Sequence, residues 1–195
     1  MKIAVVNYDA GNVRSVLNAL RRLGVEPIYT DDAAVLQSAD RVVFPGQGEA
    51  STAMDVLRRK GLDTVIASLR QPVLGICIGQ QLLCRHSEEG DTTCLGIFDT
   101  DVKRFLPTNR EDKVPCMGWN TICDLKTPLF NGLTEPYVYF VHSYYCPLCK
   151  DTIAASSHIL QYSAALHRDN FYATQFHPEK SGSVGEQILR NFLAL

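Results

Sequence analysis

Short apolar runs alternate with amphipathic segments along the first part of the chain. Predicted strands lie at residues 2–8, 26–30, 40–46 and 72–76, and the first has the continuous apolar character of a strand buried in a parallel sheet. The amphipathic segments lie at 12–24, 49–69 and 80–86; Gly24 is predicted to end the first, and Gly61 weakens the second midway. This alternation predicts a parallel sheet with helices on both faces.

The later part of the chain has a different, strand-rich pattern. Predicted strands with few helices between them lie at residues 95–106, 116–125, 137–146, 153–169 and 170–177. The last segment, 183–195, is amphipathic and predicts a helix, and Ser183 followed by Glu186 fits a capping box at its start. The polar loop at 107–113 is not a convincing domain boundary, so we expect one domain over residues 1–195.

Composition narrows the class of protein. A chain of 195 residues suits one domain and can bury roughly 70% of its unfolded surface, so its core needs no disulfide or metal. Lys plus Arg is 19 and Asp plus Glu is 21, and without a basic stripe this argues against nucleic-acid binding. No run suits a membrane span, and the opening apolar run is too short for a signal peptide. We therefore expect a cytoplasmic protein whose seven cysteines are reduced.

One cysteine occupies a special place in this pattern. Cys77 follows the fourth predicted strand and precedes a helical segment, with Gly75 and Gly79 two residues to either side. Reactive groups of α/β sheets lie at such carboxyl strand ends, and glycines permit the sharp turn of a nucleophile elbow. The helix start favours a thiolate, and its N–H groups can hold an oxyanion. The alternative is a buried core thiol whose neighbouring glycines allow tight packing.

A base and an orienting carboxylate follow another predicted strand. His177 precedes Pro178, which pushes it toward extended geometry, and positions i and i+2 of an extended segment face the same side. Glu179 can therefore approach and orient the His177 ring, which completes a set of nucleophile, base and orienting group. The alternative is a surface turn with an incidental pair. Among the other histidines, His142 is expected to be a structural hydrogen-bonding residue.

Two motifs carry a family resemblance. "LGICIGQQLL" together with "QFHPEKS" resembles the class I (triad) glutamine amidotransferases, and the resemblance covers essentially the whole chain. It implies an α/β fold of flavodoxin-like type: an open, mostly parallel sheet flanked by helices, with added antiparallel strands. The stretches "NYDAGNVRSV", "FPGQGEASTAM", "VPCMGWN" and "YFVHSYY" narrow the similarity to the glutaminase subunits of imidazole glycerol phosphate synthases.

The resemblance implies a reaction and a set of roles. Cys77 attacks the carboxamide carbon of L-glutamine and forms a glutamyl thioester, His177 gives a proton to the leaving ammonia and later activates water, and Glu179 orients His177. The remaining implied site residues are the backbone N–H groups of Gln47 and Ile78 for the oxyanion, and Gly48, Gln81, Ser143 and Tyr144 for the glutamine pocket. Gln47 and Cys116 depart from the residues usual in the family at their positions.

The resemblance also implies a partner. Ammonia passes to a (β/α)₈-barrel cyclase subunit in a heterodimer that makes imidazole glycerol phosphate for histidine biosynthesis. Asn12, Trp119 and Lys180 are expected to form the docking surface. No metal, cofactor, nucleic acid or membrane is expected as a partner.

Other interpretations stay open at this point. A different cysteine hydrolase of similar architecture, such as a γ-glutamyl peptidase, would act without a partner, and a non-catalytic binding module would keep only the fold. The "CPLC" stretch at 146–149 has the spacing of a redox or half-zinc motif, but no second matching pair follows it.

Overall fold

The computed structural model describes residues 1–9, 11 and 13–195. Thirteen strands and six α-helices are present in this part of the chain. In chain order they are β1 (Ile3–Val6), α1 (Val13–Arg22), β2 (Ile28–Thr30), α2 (Ala33–Gln37), β3 (Arg41–Phe44), α3 (Ala50–Arg59), α4 (Leu62–Ser68), β4 (Val73–Ile76), α5 (Ile78–Leu82), β5 (Cys84–Ser87), β6 (Thr92–Thr93), β7 (Phe98–Arg104), β8 (Cys116–Thr121), β9 (Tyr137–His142), β10 (Tyr144–Tyr145), β11 (Thr152–Ser157), β12 (Gln161–Arg168), β13 (Phe171–Thr174) and α6 (Gly182–Ala194).

A seven-stranded sheet in the order β11-β12-β13-β4-β3-β1-β2 forms the centre of the fold. The five strands from β13 to β2 are parallel, and β12 and β11 add to one edge antiparallel to their neighbours. Two smaller sheets, β10-β7-β5-β6 and β8-β9, lie beyond it. The predicted mostly parallel sheet with added antiparallel strands is confirmed.

The core has two layers because successive side chains of a strand point to opposite faces. In β1, Ile3 and Val5 pack on one face, and Ala4 and Val6 pack on the other. Helices α1 and α6 cover the first face, and α2 to α5 cover the second. Each fully buried Val, Leu or Ile side chain on these faces contributes about 1.5–3 kcal/mol of hydrophobic stabilisation. Burial on both faces explains the mainly apolar sequences of β1, β3 and β4, whereas β2, at the edge of the sheet, is mostly exposed.

The single helix predicted over 49–69 was wrong. Gly61 adopts a left-handed conformation with φ 67° and separates α3 from α4, so the chain turns where the pattern was weak. The five-residue helix α2 was not predicted. It is too short for a clear periodic pattern, and it is stabilised by Asp32, whose carboxylate accepts hydrogen bonds from the N–H groups of Ala34 and Val35.

The helix predicted over 80–86 was also only partly right. Helix α5 ends at Leu82, and residues from Cys84 onward form β5, which pairs with β7. His86 therefore lies in a strand, where it contacts Asp91, and does not cap the helix. Five residues are too few to establish a helical period against the sheet pairing that follows.

The predicted capping box of the last helix was wrong as well. Helix α6 begins at Gly182, so Ser183 lies inside it, and Glu186 pairs with Arg190 over 2.7 Å instead of reaching back. Ser181 occupies the capping position, and its hydroxyl donates to the carbonyl of His177. The same hydroxyl accepts a hydrogen bond from the N–H of Tyr139 on β9 over 3.0 Å, and this tertiary contact holds Ser181 at the start of the helix.

The seven cysteines are all free thiols. Cys84 is buried in the core, and its sulfur lies 3.4 Å from that of Cys146. Within the described ranges, no three His, Cys, Asp or Glu side chains are grouped to hold a metal ion. No helix in the described part of the chain has the length and apolar character to cross a membrane.

Candidate active site

Cys77 forms a sharp turn between β4 and α5. Its backbone has φ 55° and ψ −108°, which is unusual for a residue with a side chain and costs about 1–3 kcal/mol. Its N–H donates to the carbonyl of Thr174 on the neighbouring strand over 2.8 Å. The side chain is 8% exposed. The predicted elbow is therefore present, and a strained backbone of this kind is typical of functional sites.

The glycines around the elbow are required by packing. A Cβ at Gly79 would overlap the carbonyl oxygen of Phe44, and one at Gly75 would lie 2.9 Å from the carbonyl oxygen of Gly79. A Cβ at Gly46 would overlap the Tyr8 hydroxyl, which donates to the carbonyl of Pro45. Gly75 and Gly79 therefore serve both the sharp turn at Cys77 and the tight packing around it.

His177 and Glu179 lie beside the elbow because β13 is the parallel neighbour of β4. His177 Nδ1 lies 2.8 Å from Glu179 Oε1, and both side chains are 2% exposed. Pro178–Lys180 forms a 3₁₀ turn, so the predicted contact is present but the extended geometry expected for Glu179 was wrong. The N–H of His177 donates to the carbonyl of Tyr139 over 2.9 Å and fixes the backbone there.

The charge state of His177 follows from its neighbours. Burial lowers its pKa, but the adjacent Cys77 and Glu179 outweigh burial and raise the pKa to about 10. Among the residues that the structure describes, its Nε2 atom has no hydrogen-bond partner. A protonated His177 held by Glu179 beside the Cys77 sulfur is the arrangement from which a proton can be given to a leaving group.

A cavity of about 350 Å³ opens beside Cys77. The residues predicted for the site that line it are Gln47, Gly48, Cys77, Ile78, Gln81, Ser143, Tyr144 and His177. Four further residues complete the lining: Glu89, Pro115, Val141 and His142. The cavity therefore brings the predicted nucleophile and base together with every residue predicted for the oxyanion and the glutamine pocket.

Hydrogen bonds fix one wall of the cavity. Gln81 Nε2 lies 3.1 Å from the carbonyl oxygen of Tyr144 and 3.0 Å from Oε1 of Gln175. His142 Nδ1 lies 2.7 Å from the same Tyr144 oxygen, which confirms the structural role predicted for this histidine. Burial lowers the pKa of His142 to about 4, so it is neutral near pH 7 and its Nδ1 can only donate here.

Glu89 was missed by the sequence analysis. One of its carboxylate oxygens accepts a hydrogen bond from the N–H of Ala50 over 2.8 Å, and burial raises its pKa. Glu89 lies in the loop that follows β5. Only the tertiary packing of this loop brings it to the cavity, so no sequence motif marks it. Gln175 was also missed, although its position two residues before His177 on extended chain was an available signal.

Two of the three residues predicted to dock a partner, Trp119 and Lys180, lie close to one another. Trp119 on β8 is 47% exposed and stacks on Tyr137 of β9 at a ring distance of 5.9 Å. Lys180 Nζ lies 6.0 Å from the ring centre of Tyr139, which also contacts Trp119. Asn12 lies outside the described residues. Trp119 and Lys180 therefore both lie against Tyr139, and these three residues together with Tyr137 form one surface, here called the β8–β9 aromatic patch.

Comparison with known proteins identifies the family. The family Glutamine amidotransferase class-I matches residues 4–195. The chain is 63% identical to "Imidazole glycerol phosphate synthase subunit HisH" of Bacteroides thetaiotaomicron and 42% identical to that of Yersinia pseudotuberculosis, covering 100% of both chains in each case. A solved GMP synthase protein from Thermoplasma acidophilum, 24% identical, matches all of this chain and 92% of its own with a TM-score of 0.75, which shows the fold alone. The chain therefore belongs to the class-I glutamine amidotransferase family, within the group of HisH subunits.

Proposed function

We propose that this chain, as a single domain over residues 1–195, is the glutaminase subunit of imidazole glycerol phosphate synthase. It hydrolyses L-glutamine to glutamate and ammonia. The observation that carries this proposal is the Cys77–His177–Glu179 arrangement at one cavity, in a chain 63% identical to a HisH subunit over its full length. No cofactor is needed, since nucleophile, acid–base group and orienting group are side chains.

The chemistry proceeds through a cysteinyl thioester. The Cys77 thiolate adds to the carboxamide carbon of glutamine, and the carbonyl oxygen becomes an oxyanion. His177 gives its proton to the nitrogen, the C–N bond breaks, and ammonia leaves. A water molecule then gives a proton to His177 and attacks the thioester carbon, which releases glutamate and restores the thiolate. Glu179 keeps the His177 ring in place through its hydrogen bond to Nδ1.

The oxyanion is held by the backbone N–H groups of Ile78 and Gln47. Ile78 is the first residue of α5 and directly follows the nucleophile, the position that supplies an oxyanion donor in nucleophile elbows. Gln47 lines the same cavity and is followed by Gly48. The φ of Gly48 is 132°, a backbone conformation that residues other than glycine rarely adopt. Such donors are worth about 2.7–4 kcal/mol each in the transition state.

The α-amino-acid end of the glutamine substrate is recognised by other residues that line the cavity. Both hydrogens of the Gln81 amide are used by Tyr144 and Gln175, so Gln81 offers its oxygen to the substrate. The Glu89 carboxylate lines the cavity and suits the α-ammonium group of an amino acid. Gly48, Ser143 and Tyr144 complete the proposed pocket.

The β8–β9 aromatic patch docks the (β/α)₈-barrel cyclase subunit to form a heterodimer. Exposed tryptophan and a cation beside a ring are residue types that dominate interfaces. Docking serves the chemistry, because ammonia that escaped to water would be protonated and lost as a nucleophile for histidine biosynthesis. Asn12 is included in this surface from the family resemblance. A cytoplasmic location fits this pathway and stays a prediction.

The test is glutamate release from glutamine, measured for the chain alone, with the cyclase, and with the cyclase plus its ligand. We expect activity that rises with partner and ligand and is absent in Cys77→Ala. A γ-glutamyl peptidase would instead cleave γ-glutamyl peptides without the partner, and a binding module would release no glutamate under any condition. Either result would overturn the proposal.

A further inference from the structure

Gln175 is a buried side chain in contact with the nucleophile that the mechanism above leaves unused. It directly follows β13, is 0% exposed, and its backbone N–H donates to the carbonyl of Ala164 over 2.8 Å. Its side-chain nitrogen lies 3.9 Å from the Cys77 sulfur, within reach of a hydrogen bond to sulfur, and its oxygen lies 3.0 Å from Gln81 Nε2. A buried amide is held in such a place only when its polar atoms have partners.

The orientation of this amide is set by a chain of donors and acceptors. The Tyr144 carbonyl can only accept, so the Gln81 atom beside it must be the nitrogen. The second hydrogen of that nitrogen then points to Gln175, whose facing atom must be the oxygen. The nitrogen of Gln175 is left facing Cys77. Neutral His142 donates to the same Tyr144 carbonyl and holds the start of this chain in place.

We propose that Gln175 is a positioning residue for the nucleophile: its amide N–H donates to the Cys77 sulfur and favours the thiolate in the attacking position. The Val141 carbonyl oxygen also lies 3.9 Å from this sulfur, and an acceptor there favours the protonated thiol. A fixed donor from Gln175 counteracts that carbonyl without itself titrating. The inference rests on the proposed function only in taking Cys77 as the nucleophile.

The test measures the sulfur directly and needs no substrate. The rate at which iodoacetamide alkylates Cys77 is followed across pH, with mass spectrometry to separate this site from the other six cysteines. Gln175→Met removes the donor at similar volume, and we expect the midpoint of the profile to rise by about one pH unit, a roughly tenfold slower reaction below it. The other titratable groups around Cys77 are unchanged in this variant: His142, Tyr144, His177 and Glu89 at the cavity, Glu179 beside His177, and Tyr8, whose pKa Cys77 helps to raise.

Gln80→Met is the matched control. Gln80 is as buried as Gln175 and lies on α5, the helix that follows Cys77. Its amide, however, donates to the Ser163 carbonyl and the Cys146 sulfur. We expect its Cys77 alkylation profile to match the wild type. Thermal unfolding of each variant checks that the fold is intact.

Gln175→Glu keeps the shape of the side chain and serves if the methionine variant does not fold. Its carboxylate still accepts from Gln81 but gives no donor to Cys77, so we expect a shift in the same direction. A folded Gln175 variant with the wild-type midpoint overturns the proposal. So does a shift in Gln175→Glu with none in folded Gln175→Met, since that pattern reports the new charge alone. Alkylation of Cys77 can be measured even if the chain does not hydrolyse glutamine. Failure of the proposed glutaminase function can therefore be distinguished from failure of the proposed role of Gln175.

Discussion

The backbone N–H of Cys77 donates a hydrogen bond to the carbonyl oxygen of Thr174 over 2.8 Å. This bond joins the end of β4 to the end of β13, three residues before His177. Because β4 and β13 are parallel neighbours, their carboxyl ends meet at the same edge of the sheet. The nucleophile and its base therefore meet through strand order, although they are distant in sequence.

Replacing Cys77 by Ala should abolish glutamate release, because only the thiol can form the thioester. The fold should be retained, since alanine is smaller and the neighbouring glycines are unchanged. With the cyclase present, added ammonium salt should still support synthesis. Cys123→Ala, at an exposed free cysteine, is the control and should keep glutaminase activity. Glutamine-dependent turnover in Cys77→Ala would contradict the assignment.

Replacing His177 by Ala should lower the rate of thioester formation by about 10²–10⁴-fold, the usual contribution of a general acid–base group. Glu179→Gln should have a smaller effect, because glutamine still offers an oxygen to His177 Nδ1. The measurement is single-turnover labelling of Cys77 by an electrophilic glutamine analogue. His86→Ala changes a histidine away from the cavity and should label normally. Wild-type labelling of both site variants would exclude the triad.

The stability of the protein should depend on pH through His177. Its pKa is raised from 6.5 to about 10 in the fold, so the stabilisation is complete below about pH 6.5 and is lost as the pH rises through about 10. The difference in free energy of unfolding between wild type and His177→Gln should therefore shrink over this range in urea titrations. In a Cys77→Ala background the change should be smaller, since the thiolate is the largest raising influence. A difference that stays constant with pH would rule out the raised pKa.

Gly79→Ala should destabilise the fold and the elbow together, because the added Cβ overlaps the carbonyl oxygen of Phe44. Overpacking of this kind costs about 1–3 kcal/mol, measured by chemical denaturation. Gly11→Ala is the matched control, since a Cβ there meets nothing closer than 3.9 Å. Equal stability of the two variants would show that the backbone around residue 79 and Phe44 can move apart without a cost in the free energy of unfolding.

Trp119→Ala and Lys180→Ala should weaken binding of the cyclase by about 1–4 kcal/mol in titration calorimetry. They should also reduce activation of glutaminase by cyclase ligand while Cys77 remains reactive to alkylation. Tyr29→Ala and Lys150→Ala change an exposed aromatic residue and an exposed lysine outside the patch and should bind normally. Unchanged affinity and activation in both patch variants would refute the docking surface.

The sequence alone was sufficient to predict the parallel sheet, the sharp turn at Cys77 and the contact between His177 and Glu179. Strands buried on both faces leave continuous apolar runs, and the elbow and His-Pro-Glu turn are local motifs with fixed spacing. Element bounds were less predictable. Gly61 divides one predicted helix into two because it adopts a left-handed turn. Helix α6 begins earlier than its capping pattern indicates, because Ser181 is held by a hydrogen bond from Tyr139 on β9.

Tertiary structure decided the parts of the site that have no local signature. Glu89 reaches the cavity from a loop, and Gln175 is oriented through Gln81 by a carbonyl on a different sheet. The raised pKa of His177 likewise depends on burial beside Cys77 and Glu179, which only the packing of β4 against β13 creates. Sequence determines which groups a chain carries at each strand end, but distances and hydrogen-bond directions between strands arise from the order in which the strands pair.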